Sequence, residues 1–192
     1  MDERHAVARL KRGDIGGLEA LVQRYQVEAV RTAYLITRDR AQAEDIVQAA
    51  FLQAYRRIHQ FDDERPFAPW FMRSVINQAL KVVTRNRQIS LETVNGNSPE
   101  SLGERLSDPT PTPAERAEIQ ETRQAVWEAM GKLPPEQRAV IVLRYFLAYS
   151  EQEMAEALHC PPGTVKWRLH AAKERLRTLL GSHESLEELT NG

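Results

Sequence analysis

The sequence predicts an all-α protein of two small helical domains joined by a flexible Pro-rich linker, with the second domain a helix-turn-helix. Three observations carry this. Apolar residues recur at spacings of three and four over almost the whole chain, and no alternating run is long enough to demand a sheet. Pro99, Pro109, Pro111 and Pro113 share one polar stretch with Gly96, Asn97, Ser98 and Gly103, which interrupts the helical pattern. At 192 residues the chain can form one domain or two small ones, each with a modest core. The boundaries fall at 1–92 for the first domain, 93–115 for an acidic linker, 116–182 for the second domain and 183–192 for a short acidic tail.

In the first domain Leu18, Leu21, Val22, Tyr25, Ala29, Ala33 and Ile36 mark one apolar helix face. A second helix begins near Ala41, with Val47, Ala50, Phe51, Ala54, Tyr55 and Ile58 as its apolar set. Glu44, Asp45 and Gln48 lie together on its polar side, a face suited either to a basic partner or simply to water. A third helix runs from about Pro69 to Arg87. Phe71, Met72, Val75, Ile76, Ala79, Leu80, Val82 and Val83 form its broad buried arc, and Trp70, Arg73, Asn77, Lys81 and Arg85 its opposite arc. An aromatic ring aligned with cations and an amide suits single-stranded nucleic acid, where a base stacks on the ring and cations hold phosphates. The competing reading folds Trp70 back onto the loop FDDERPF as a cap.

The second domain has a stronger local grammar. Pro135 suits the first turn of a helix whose Val140, Ile141, Leu143 and Phe146 are candidates for burial. Ser150 followed by Glu153 reads as a capping box opening a short helix through Leu158. The segment HCPPG ends that helix, and Thr164 can cap a final one with Val165, Leu169, Ala172, Leu176 and Leu179 on a narrow stripe. Two short helices joined by a tight turn form a helix-turn-helix, whose second helix enters the major groove amino end first. Opposite the stripe lie Trp167, His170, Ala171 and Glu174, flanked by Lys166, Arg168, Lys173 and Arg175. A generic helical hairpin is the bland alternative.

Charge is distributed unevenly. The chain has 26 Lys+Arg against 27 Asp+Glu, a formal charge of -1, so neither a uniformly basic coat nor an acidic disordered chain describes it. Residues 65–90 nevertheless hold Arg65, Arg73, Lys81, Arg85 and Arg87 with no acid, and residues 162–180 hold five bases against Glu174 alone. Between them, residues 91–121 are acidic. Cys160 has no second cysteine to pair with, and no window approaches the roughly 20 apolar residues of a membrane span. The amino terminus lacks the apolar core of a signal peptide, so a cytoplasmic location is expected. His5, His59, His159, His170 and His183 are scattered, and no nucleotide-binding or nucleophile motif occurs. The expectation is a protein with neither catalytic activity nor cofactor.

Taken in order, three segments resemble the extracytoplasmic-function (ECF) sigma factors of bacterial RNA polymerase over about 160 residues. AEDIVQAAFLQAYRRI resembles the polymerase-clamp segment, FDDERPFAPWFMRSVINQALKVVTRNR the promoter-melting region, and LPPEQRAVIVLRYFLAYSEQEMAEALHCPPGTVKWRLHAAKERL the domain that binds the minus-35 element. The resemblance implies a transcription initiation factor that recruits core RNA polymerase to promoter DNA. It implies that Asp45 and Gln48 face the polymerase and that Trp70, Arg73 and Asn77 meet the separated minus-10 strand; Glu44 on the same polar side, and Lys81 and Arg85 on the same arc, join them as candidates from their helix faces. It implies that Lys166, Arg168 and Lys173 meet the minus-35 duplex, and Thr164, Trp167, His170 and Ala171 on the same helix join them as candidates. Ala49 stands where the family usually has an acid, and Trp167 and Ala171 replace its usual small polar residue and Arg. Two basic DNA surfaces bind non-specifically unless masked, so an anti-sigma protein is an expected partner. The alternative is a stand-alone helix-turn-helix regulator, which has no need of the Trp70 arc or the Asp45 face.

Overall fold

The computed structural model describes residues 2–90 and 113–181, with side chains described for 2–86 and 120–181. Most of the linker assigned to 93–115 and the tail at 183–192 lie outside the described residues. All regular elements among the described residues are helical: α1 (Glu3–Lys11), α2 (Gly16–Thr37), α3 (Arg40–Arg57), α4 (Phe67–Ser90), α5 (Pro113–Gly131), α6 (Pro135–Ile141), α7 (Glu151–Leu158) and α8 (Pro162–Leu180).

Helices α1 to α4 form the first half around an aromatic centre. Phe71 stacks on Phe51 with ring centroids 4.3 Å apart and on Phe67 at 5.7 Å, while Tyr25 of α2 lies 5.8 Å from Phe67. Periodicity gives no helix ahead of Leu18, yet α1 is present and buries Ala6, Val7 and Leu10. Its Glu3 does long-range work: the carboxylate accepts from the Phe67 backbone N–H at 3.0 Å and from the Tyr25 hydroxyl. An acid at the amino end of α4 satisfies an orphan donor and complements the helix dipole. Gly17 permits the close crossing of α1 and α2, because a Cβ there would meet the Ala6 carbonyl and Leu10 nitrogen of α1. Asp39 caps α3 by accepting from the Gln42 N–H at 2.9 Å. The register of α3 differs from expectation at Tyr55, which is exposed rather than buried, because Phe51, Ala54 and Ile58 already fill the face toward α2 and α4.

The second half packs α6 and α7 onto the stripe of α8. Val165, Leu169, Ala172 and Leu176 are buried as expected, and Leu179 is half-buried. Pro135 occupies the first turn of α6, and Ser150 and Glu153 form the full capping box of α7. Two expectations fail here. Thr164 does not cap α8; Pro161 is the extended cap residue and Pro162 the first helical position, where its fixed φ and missing N–H are tolerated. Phe146 is exposed rather than buried, because α6 runs on into a π-helical turn at Val142–Phe146. The wider turn keeps Val142 and Leu143 in the core but rotates Tyr145 and Phe146 outward.

Tyr149 follows this turn, half-buried, and its hydroxyl is pushed up to about 12 by burial and secondarily by Glu153 and Glu28. Between pH 10 and 12 the unfolded phenol therefore loses its proton while the folded one keeps it, so folding stability falls as pH rises through that window. Tyr149→Phe should lose less stability than the wild type when urea midpoints at pH 9 and pH 11 are compared. Parallel loss in the two proteins would show that this phenol does not set the alkaline limit.

The halves also pack on one another. Arg138 of α6 is 6% exposed and donates to the Ile36 carbonyl near the end of α2 at 2.8 Å and to the Leu133 carbonyl at 3.1 Å. Tyr34 of α2 stacks on Trp127 of α5 at 4.9 Å, and the Arg38 guanidinium lies 4.6 Å from the same indole.

Candidate nucleic-acid interface

The inner arc of α4, Phe71, Met72, Val75, Ile76 and Ala79, is buried, and the helix packs on α2 and α3 and also on α6 and α7 of the second half. Leu80, Val82 and Val83 are only half-buried, so the apolar arc narrows toward the carboxyl end. On the opposite arc Lys81 and Arg85 are exposed, and Trp70, Arg73 and Asn77 are half-buried. Trp70 packs on Phe61 at 5.1 Å and Phe67 at 5.5 Å, the two aromatics of the loop FDDERPF. The capping contact is thus present, and part of the ring remains accessible. Lys11 anchors the loop from α1, donating to the Phe61 carbonyl at 2.7 Å and pairing with Asp63 at 2.9 Å.

Arg73 does not point freely into water. Its Nε lies 3.1 Å from His159 Nε2, in the turn between α7 and α8, and Gln152, Glu156, Cys160 and Pro161 line the cleft beside this pair. The contact joins residues 86 positions apart and brings the α4 arc against the helix-turn-helix.

The turn is made by His159 in left-handed geometry (φ 52, ψ 42), a conformation that His adopts more readily than most side chains. It aims α8 outward. Lys166 and His170 are exposed, while Thr164, Arg168, Ala171 and Lys173 are half-buried. Trp167 is 65% exposed, the most exposed large apolar side chain among those described. Lys166 pairs with Glu151 of α7 at 3.5 Å, and the Lys173 ammonium lies 5.7 Å from the Tyr145 ring. Both contacts are individually weak.

A third surface lies on α3. Glu44, Asp45 and Gln48 are exposed, with Glu44 paired to Arg40 at 2.9 Å. Leu52 and Tyr55, 49% and 43% exposed, continue the same line toward the carboxyl end. The spacing of Asp45, Gln48, Leu52 and Tyr55 is three, four and three, so these residues share one outer line of α3.

Comparison with known proteins identifies the family of each half. Residues 21–89 match the family model for sigma-70 region 2, and residues 123–176 match that for sigma-70, region 4. The chain is 30% identical to the RNA polymerase sigma-H factor of Pseudomonas aeruginosa over 177 residues, covering 91% of each protein. It is 31% identical to the ECF RNA polymerase sigma-E factor of Haemophilus influenzae over 175 residues, covering 88% of this chain and 90% of that one. Its fold is similar to that of the sigma factor RpoE in its co-crystal structure with the anti-sigma factor NepR from Bartonella quintana. There the TM-score is 0.64 at 18% identity, over 84% of this chain and 95% of that one. With relatives matched across both halves and in the same order, the chain belongs to the ECF sigma factors of RNA polymerase.

Proposed function

We propose that the two basic faces have separate tasks on one promoter, with α8 binding the minus-35 duplex and the outer arc of α4 holding the separated minus-10 strand. In this reading Glu44, Asp45 and Gln48, extended by Leu52 and Tyr55, dock on core polymerase. The protein acts in the cytoplasm, takes no cofactor and catalyses nothing itself. The observation that carries the reading is the state of Trp70. Phe61 and Phe67 fix the ring while it stays partly accessible, on the same helix arc as Arg73 and Asn77, which supports a rigid stacking platform rather than a loose surface aromatic.

The Arg73–His159 contact adds a requirement. Minus-10 and minus-35 elements lie on the order of 80 Å apart along B-DNA, since each base pair rises about 3.4 Å. Faces that touch through Arg73 and His159 cannot reach both, so the halves must separate when the promoter is engaged. A partner that holds them together keeps the factor idle. We assign that role to an anti-sigma protein, in keeping with the anti-sigma complex of the RpoE protein that shares this fold.

Promoter opening separates the tasks. Asn77→Ala and Trp70→Ala should reduce open-complex formation about tenfold or more on a duplex promoter, the equivalent of one lost stack or base-edge contact of about 1–3 kcal/mol. On a template already mismatched at minus-10 the loss should stay below about threefold, because duplex melting is then no longer required. Asn77→Ala disturbs no aromatic packing and is the cleaner variant. Equal loss on both templates would overturn the melting assignment.

A further inference from the structure

The recognition helix has an unusual centre line. At about 100° per residue, Trp167 lies roughly 140–180° from each of the buried Val165, Leu169, Ala172 and Leu176, so it faces directly away from the domain core. Ala171 follows about 40° to one side and one turn further along. Lys166 and Arg168 fall about 100° to either side of Trp167. Arg168 is half-buried and reaches back to the Cys160 sulfur, and Lys166 is exposed. Glu174, the next residue near the line, is paired with Arg177.

A helix lying in the major groove has a phosphate strand on each side and base edges in front of it. Cations a quarter-turn to each side fit those strands. What lies nearest the line is an indole and a methyl group, on the sixth and tenth residues of α8 counted from Pro162, with the exposed His170 about 60° to the other side. Guanine is read best by a bidentate Arg or Lys, and neither stands on this line. The base that presents an apolar group to the major groove is thymine, through its C5 methyl.

We propose that Trp167 is the specificity-determining residue of α8 and reads the C5 methyl of a thymine in the minus-35 element, with Ala171 extending the apolar contact to a neighbouring base. This rests on the assignment of α8 to the minus-35 duplex. Lys166, Arg168 and Lys173 supply affinity that depends on salt and not on sequence.

The test uses the full chain reconstituted with core polymerase. Selection from a promoter library randomised at minus-35 identifies the preferred bases for the wild type, Trp167→Ser and Ala171→Arg. Each selected thymine is then replaced by deoxyuridine, which lacks only the C5 methyl. The wild type should select thymine at one position at least, and deoxyuridine there should weaken its binding about fourfold, the effect of one buried methyl. Trp167→Ser should lose that preference and bind both templates equally, and Ala171→Arg should move the preference toward guanine at the adjacent position. If the wild type selects no minus-35 sequence, the assignment of α8 itself fails. A wild-type preference that is indifferent to deoxyuridine and unchanged in Trp167→Ser would overturn the role of Trp167 while leaving that assignment standing. The deoxyuridine comparison is made on the wild type, so it is decisive even where a variant folds poorly.

Discussion

Arg138→Ala should destabilise the protein by about 3 kcal/mol, the largest single effect expected of a polar side chain here. Two carbonyls depend on this guanidinium at close range, Ile36 from α2 and Leu133 beyond the end of α5, with Gly131 a longer contact at 3.4 Å. The Ile36 and Gly131 carbonyls lie at the negative ends of helix dipoles, which helps a buried cation to be tolerated without a carboxylate partner. Desolvation and the nearby Arg38 still push the Arg138 guanidinium down to about 10, and its Nε has no hydrogen-bond partner. Removing the charge relieves that strain in part, but strands the carbonyls and opens a cavity between the halves. Arg138→Met, which refills the volume, should cost about 1 kcal/mol less than Ala. With the two halves unfolding as one unit of 192 residues, 3 kcal/mol corresponds to a fall in Tm of about 6–12 °C. Urea midpoints for the two variants measure it. A loss below about 1 kcal/mol in Arg138→Ala would mean that the carbonyls find water instead.

Reversing Asp45 to Lys should leave the fold intact and weaken binding to core polymerase at least tenfold. The residue is exposed, so Tm should move by less than about 2 °C. It stands at the polar end of a line that continues through Gln48 to the exposed Leu52 and Tyr55. Apolar and aromatic anchors bordered by a charge form the usual centre and rim of a protein interface. There a like-charge clash with a basic partner costs several kcal/mol. Tyr55→Ala should also weaken binding, by removing the anchor rather than the steering charge. Competition against a labelled sigma factor for core polymerase gives both affinities, with circular dichroism as the fold control. Wild-type affinity in Asp45→Lys would take the α3 face out of the polymerase contact.

Much of this architecture is legible because its causes are local. Pro135 at a first turn, the Ser150 and Glu153 capping box and the stripe from Val165 to Leu176 each involve residues within a few turns of one another, and each appears as read. The outer arcs of α4 and α8 follow from the same periodicity. Failures occur where a local rule had a competitor. Two consecutive prolines start α8 earlier than a Thr cap at Thr164 would, and a π turn rotates Phe146 out of the core.

The sequence by itself thus determined the fold class, the helix-turn-helix and which faces carry cations and aromatics, because capping and amphipathic period act over a few residues and survive in any context. Tertiary structure alone decided what those faces touch. Glu3 meets the Phe67 N–H across 64 positions, Arg73 meets His159 across 86, and Arg138 meets the Ile36 carbonyl across 102. Nothing in the immediate neighbourhood of Arg138 marks it as buried, since an arginine on a short helix ordinarily faces water. It is buried because the ends of α2 and α5 converge there with unsatisfied carbonyls, and only a long side chain with several donors can serve both.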